Sequence, residues 1–221
     1  MYDIKEQFTI SLFGATGASG KEFLNLALKN NFKIKALVRN INNISISNPN
    51  LELIQGDFSN IESITQVVKN SDYIVCMAGS LKSPSKDLMY NFIKSLHTIM
   101  LQEKVFNLTY QAGALCYIPN AKKSFLVKIM RGTFGKITGT ELSLKDHDKV
   151  LNYINSKMTL SGLNVIVTLP GAMGLNPGES KKELEIQNGI KFTTSQFIDV
   201  AKFTLSNFNN TDLFGKFVYI A

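Results

Sequence analysis

The sequence predicts an α/β fold: a doubly wound parallel sheet of about seven strands with helices on both faces, three layers deep. Three observations predict it. Short apolar runs alternate with segments of helical period along the chain. The runs are apolar almost throughout, which suits strands covered on both faces. A glycine-rich turn, Gly14-Ala15-Thr16-Gly17-Ala18-Ser19-Gly20, joins the first run to the first helical segment.

The elements follow in order. Strands are expected at Phe8–Phe13, Lys33–Val38, Leu51–Gln55, Tyr73–Met77, Val105–Tyr110, Asn164–Leu169 and Lys216–Ile220. Lys21 to Lys29 forms the first helix, with Phe23, Leu24, Ala27 and Leu28 on one face. Asn60 to Lys69 starts with a capping box, Ser59 with Glu62 three residues on. Leu88 to Glu103 sets Leu88, Phe92, Leu96 and Ile99 at helical spacing, and Lys145 to Met158 does the same with Val150, Leu151, Ile154 and Met158. The last helix, Gln196 to Leu205, repeats Phe197, Val200 and Ala201. These stripes read as core. Asn40 to Asn50 is an Asn-rich loop, Pro119 to Thr140 an insertion with a short helix, and Gly171 to Asn188 an excursion where a substrate lid would lie. No repeat or linker divides residues 1–221, so one domain is expected, with substrate-side loops at 111–144 and 171–192.

A glycine-rich turn between strand and helix is a device for holding diphosphate, and an open sheet that carries it is Rossmann-like. Gly14 permits the tight turn, Gly17 lets backbone approach the phosphates, and Gly20 lets the helix pack against the strand. The amides of the helix N-terminus then face the anion with the helix dipole behind them. A tight turn without a ligand is the plain alternative.

Composition sets the bounds. Of the 221 residues, 44% are hydrophobic and 19% charged, the balance of an ordinary globular chain. No apolar run is long enough to span a bilayer, so no membrane partner is expected. Met1 to Phe13 carries two acids and no signal-like apolar core, and a cytoplasmic chain is expected. Two cysteines, Cys76 and Cys116, read as buried thiols, and two histidines are too few for a His-rich metal centre; no metal is expected. The net charge of +7 attracts anions, but the lysines are scattered without interleaved aromatics. Nucleic acid is therefore not the expected partner. A small-molecule acceptor is, with the protein a monomer or homodimer.

Ligands of an open parallel sheet bind at the carboxyl ends of the strands. The unusual residues here fall there: Gly14, Arg39, Asp57, Ala78-Gly79, Tyr110 and Pro170-Gly171. An acid closing the second strand would accept from a ribose 2′-hydroxyl; Arg39 instead offers a planar fork to a 2′-phosphate. With no acid nearby, NADPH is favoured over NADH, the alternative being an exposed loop arginine. Asp57 is placed to accept from an adenine amino group, or is an ordinary turn aspartate. Ala78-Gly79 leaves the fourth strand without bulk, so that the ribose-nicotinamide half can pass close to backbone.

Gly14-Ala15-Thr16-Gly17 with Gly20, Val38-Arg39, Gly56-Asp57, Lys145-Asp146-His147, Ser161-Gly162-Leu163, Pro170-Gly171 and Phe197-Ile198-Asp199-Val200 resemble a known group. It is the atypical short-chain dehydrogenase/reductase family with an NAD(P)H-binding fold, whose members include NmrA-like and biliverdin-IXβ reductase (flavin reductase)-like proteins. The resemblance implies cofactor contacts at Thr16, Gly17, Ala18, Ser19, Arg39, Asp57, Phe58, Gly79 and Ser80. It also implies a histidine at the start of the fifth helix, matched by His147; an exposed helix-start histidine is the alternative.

Many members of the wider superfamily protonate a carbonyl through a tyrosine followed one helical turn later by a lysine. Tyr153 and Lys157 have that spacing but lie about two turns too close to the sixth strand, where Lys145 and Lys149 are nearer the slots. They read as helix surface. Tyr110, aimed into the groove if strand alternation puts it there, and His147 are the candidate catalytic residues. Flavins and quinones accept hydride into a conjugated ring and take a proton from water, so stacking against the nicotinamide is the main requirement. The expected function is an NADPH-dependent oxidoreductase of a flat diffusible acceptor: a flavin, quinone or tetrapyrrole. The alternative is a non-catalytic NADP(H) sensor of the NmrA type.

Overall fold

The computed structural model describes residues 8–79, 86–122, 125–174, 182–191 and 193–221. In chain order the strands are β1 (Thr9–Phe13), β2 (Lys33–Val38), β3 (Leu51–Gln55), β4 (Tyr73–Cys76), β5 (Asn107–Gln111), β6 (Asn164–Pro170), β7 (Ala172–Gly174), β8 (Ile186–Gln187), β9 (Thr194–Gln196) and β10 (Phe217–Ile220). The helices are α1 (Ala18–Lys29), α2 (Ile61–Val68), α3 (Leu88–Glu103), α4 (Phe125–Ile137), α5 (Glu141–Tyr153) and α6 (Phe197–Asn207). The main sheet runs β3-β2-β1-β4-β5-β6-β10-β8. Seven of those strands are parallel, as the sequence indicates, and β8 adds an antiparallel edge against β10. A separate parallel pair, β7 with β9, was not foreseen, because two- or three-residue strands leave no periodic signal.

Period-two alternation divides the core between the two faces. Ile10 and Leu12 of β1, with Val75 and Met77 around β4, pack among Phe23, Leu24 and Ala27 of α1. Phe13, Ile74, Cys76, Leu108 and Tyr110 face the other way, among residues of α2, α3 and α5. A small cluster of β6, β10 and α6 residues includes Leu184 from the excursion before β8. The result is the three-layer Rossmann-like α/β fold.

Several boundaries differ from the sequence reading, each for a local reason. Helix α1 begins at Ala18, three residues early, because the glycine turn is already closed by Gly17 N–H donating to Gly14 O (2.9 Å). The cap of α2 is Asn60, whose side chain accepts from Ser63 N at 2.9 Å, and not the Ser59–Glu62 box. Ser59 is engaged instead by Asp57. Helix α5 starts at Glu141 and ends at Tyr153, after which Ile154–Met158 winds as a π turn. The insertion after β5 holds a helix of 13 residues, α4.

Candidate functional site

The parallel order sets the carboxyl ends of β3, β2, β1, β4, β5 and β6 side by side, which aligns Asp57, Arg39, Gly14, Gly79, Gln111 and Pro170 across the sheet. The chain reverses its winding direction between β1 and β4, the switch point at which such sheets bind ligands.

Two glycines there are fixed by sterics. Gly14 has φ +93°, and a Cβ on it would lie 2.7 Å from Ala78 N. A Cβ on Gly20 would lie 2.0 Å from Gly14 O, inside the turn itself. The N-cap of α1, Gly17, makes no side-chain cap, and the first turn holds no acid. Gly17 and Ala18 are exposed. The first amides of α1 are thus offered to an anion, in a cradle that side chains would fill. A dinucleotide diphosphate fits those residues. Thr16 is half-buried beside the turn. Ser19 is buried, and its hydroxyl accepts from Gln111 Nε2 at 3.3 Å and sits 3.8 Å from Met173 Sδ, so its contribution to a diphosphate is its amide.

Arg39 is exposed at the end of β2. Asp57, two strands from the turn, is held low: Ser59 hydroxyl and Ser59 amide donate to Oδ1 at 2.6 and 2.8 Å, and the charge of Arg39 adds to the effect. The plain turn role anticipated for Asp57 is therefore present at Oδ1. Phe58 stacks on Phe92 with ring centroids 4.3 Å apart and meets Phe13 edge-on, which anchors the turn in the core. Ala78 is buried and Gly79 exposed. Pro170 is buried at the end of β6, its carbonyl accepting from Ala114 N. Ser80 lies outside the described residues.

Tyr110 does not point into an open groove. Its ring is fully buried on the α3/α5 face, because alternation along β5 sends residue 110 there and residue 111 to the α1 side. Its hydroxyl lies 2.7 Å from His147 Nδ1. His147 is not an exposed helix-start residue either; it sits in the second turn of α5 at 8% exposure. Its other nitrogen, Nε2, faces β4: a Cβ on Gly79 would lie 3.7 Å from it. Burial lowers the His147 pKa against the opposing influence of Asp146 and Asp148, and burial raises that of Tyr110 well above the ordinary phenol value. The phenol is thus protonated, and its proton needs an acceptor; Nδ1 is the one in reach among the described residues. The hydrogen of the neutral imidazole then resides on Nε2.

Tyr153 and Lys157 form no pair at the strand ends. The π turn begins right after Tyr153, so the two residues are not separated by an α turn. Tyr153 OH lies 3.0 Å from His97 Nδ1, Lys157 is exposed, and the alternative slots Lys145 and Lys149 are paired with Glu141 and Asp87. Cys76 and Cys116 are buried free thiols, pushed up to about 12 by desolvation. Among the described residues no group of three His, Cys, Asp or Glu side chains converges on a point.

Three features escaped the sequence reading. Gln111 bridges β5 to α1 and to Met173, and its Oε1 is buried with no hydrogen-bond partner among the described residues. Asp146 accepts from Met89 N (2.9 Å) and Tyr90 N (3.0 Å), serving as the missing cap of α3, whose own N-cap Asp87 is left-handed and uncapping. Arg131 of α4 grips Asp148 of α5 through both nitrogens and donates to Leu115 O. Only the string Asp146-His147-Asp148 hinted at the last two, as charge within the helical stretch, and nothing in the sequence hinted at the first.

The model of the NAD(P)H-binding family matches residues 14–211. No curated protein matches the chain. Solved structures share its fold at low identity. The oxidoreductase ylbE from Lactococcus lactis has 17% identity and a TM-score of 0.74, over 96% of this chain and 90% of that one. ChuY, an anaerobillin reductase from Escherichia coli O157:H7, has 15% identity and 0.74, over 96% of each chain. A short-chain dehydrogenase/reductase from Veillonella parvula in complex with NADP has 15% identity and 0.71, over 97% of this chain and 94% of that one. The family match begins at Gly14, where the cradle begins, and spans the strand ends just described; the chain belongs to the NAD(P)H-binding family.

Proposed function

We propose that the chain is an NADPH-dependent reductase that passes hydride to a flat, diffusible acceptor: a flavin, quinone or tetrapyrrole. One observation carries it: with Tyr110 OH 2.7 Å from its Nδ1, the buried His147 ring turns Nε2 to the exposed Gly79 at the end of β4. In this reading Gly14, Thr16, Gly17, Ala18, Ser19 and Gly20 cradle the diphosphate, and Arg39 holds the 2′-phosphate. Asp57 and Phe58 flank the adenine end, and Ala78, Gly79 and Pro170 the nicotinamide end. Bound NADPH supplies the hydride. His147 Nε2–H donates a hydrogen bond to the acceptor atom that gains electron density, and Tyr110 is a positioning residue that sets the tautomer. A neutral imidazole is a weak acid, which suits a conjugated acceptor better than an isolated carbonyl. The fold shared with ChuY is consistent with this reading.

Purified protein should oxidise NADPH in the presence of FMN or a soluble quinone; no oxidation with any acceptor of this class would overturn the proposal. Arg39→Ala should weaken NADPH by about 30-fold and NADH by less than about threefold, since a charged hydrogen-bonded pair is lost only with the former. Equal losses would remove the 2′-phosphate role.

A second reading is favoured by the burial of Tyr110 and the engagement of Tyr153 with His97, which take both of these phenols away from an acceptor. It is an NADP(H) sensor of the NmrA type. It requires tight nucleotide binding without turnover, and a protein partner retained in only one redox state of the nucleotide.

A further inference from the structure

Helix α4 turns its apolar side to solvent. Phe125 is 77% exposed, Ile137 84%, Leu126 51% and Ile129 46%. At 100° per residue these four fall within an arc of about 120°, which positions 133 and 136, a threonine and a lysine, share with them. Among the helix residues whose burial is described, only Val127 and Gly135 are buried, and the helix is held in place from that side. Arg131 pairs with Asp148 at 2.6 Å, donates to Leu115 O and lies 4.1 Å over the ring of Tyr117. The pair is largely buried, so the orientation is fixed and the bare side is not a consequence of a loose helix. Scattered exposed leucines need no explanation; four large apolar side chains along one helix face do.

Charge identifies what covers it. Residues 105–140 contain five Lys or Arg and no Asp or Glu. Arg131 is neutralised by Asp148, while Lys128 on the flank of the apolar arc and Lys122 before the helix are exposed. A second copy docked face to face would set this acid-free segment against itself. A nucleic acid would meet aliphatic side chains where it needs hydrogen-bond donors and stacking platforms. An anionic lipid surface satisfies both halves: headgroups take the lysines and the acyl boundary takes the apolar arc.

We propose that α4 is an interfacial anchor, lying in the surface of an anionic bilayer with Phe125, Leu126, Ile129 and Ile137 inserted and Lys122 and Lys128 at the headgroups. This engagement differs from spanning: among the described residues no helix is long and apolar enough to cross a membrane. It is independent of the acceptor's identity and of turnover.

The chain contains no tryptophan, so Phe125→Trp introduces a single reporter. Phosphatidylglycerol vesicles should shift its emission to the blue, and brominated acyl chains should quench it. Pure phosphatidylcholine vesicles should do neither, and high salt should reverse the shift. Co-sedimentation of the otherwise native chain should fall about tenfold or more in Lys122→Glu/Lys128→Glu and likewise in Ile129→Ser/Ile137→Ser. NADPH-induced thermal stabilisation should be unchanged in both, which shows that they fold and separates this test from that of the reductase reading. Absence of sedimentation with phosphatidylglycerol would overturn the anchor. So would sedimentation unaffected by both variants, or a solution dimer abolished by Ile129→Ser/Ile137→Ser, which would assign the face to a second copy.

Discussion

His147 is the residue whose chemistry depends most on its surroundings. Its pKa is lowered by burial, so the folded state resists the proton that the unfolded chain takes up near its ordinary value of 6.5. Stability from the neutral imidazole is therefore complete above that value and declines as pH falls below it. His97 shifts in the same direction, also through desolvation, so wild type alone cannot separate the two. Urea midpoints of wild type and His147→Gln at about pH 8 and about pH 5 should do so. The variant should lose less stability on acidification, and parallel losses would mean that His147 is not buried neutral. Neither partner of the Tyr110–His147 bond reveals this in sequence, where one looks like a strand end and the other like a helix start.

Helix α1 and its turn separate two jobs that the glycine pattern merges. Gly20 is required by packing, since a methyl group there would strike Gly14 O, part of the backbone. Gly20→Ala should cost roughly 2 kcal/mol or more in chemical unfolding, with nucleotide binding lost as a consequence. Gly17 has φ −75°, and its Cβ would stand 3.3 Å from Gly14 O, a contact that a small shift relieves. Gly17→Ala should keep most of the stability yet weaken NADPH about tenfold, as the methyl group stands where phosphate approaches the amides. Equal effects of the two substitutions on folding would contradict that division. Helix α3 offers a third case. It depends on a carboxylate from α5, so Asp146→Ala should destabilise the protein by about 2 kcal/mol by leaving two amides uncapped, and Asp146→Asn by less.

At the scale of the whole molecule, the sheet order brings residues from six strand ends into one line, and a dinucleotide laid along it would tie the two halves of the sheet together. NADPH at about a hundred times its Kd should add about 2.7 kcal/mol to folding stability and raise Tm accordingly. NADH at the same concentration should raise it less, and an NADH shift equal to that of NADPH would count against selection by Arg39. The parallel strands, the helices between them and the diphosphate turn were legible in the chain because each is local. They rest on apolar runs, on a 3.6-residue period, and on three glycines at the one spacing a strand–turn–helix allows. The side of β5 on which Tyr110 lies, the turn of α5 from which His147 reaches Gly79, and the breaking of the Tyr153–Lys157 spacing by a π turn were not. Those depend on which elements become neighbours and on how much water they exclude, quantities set by packing between residues far apart in the chain.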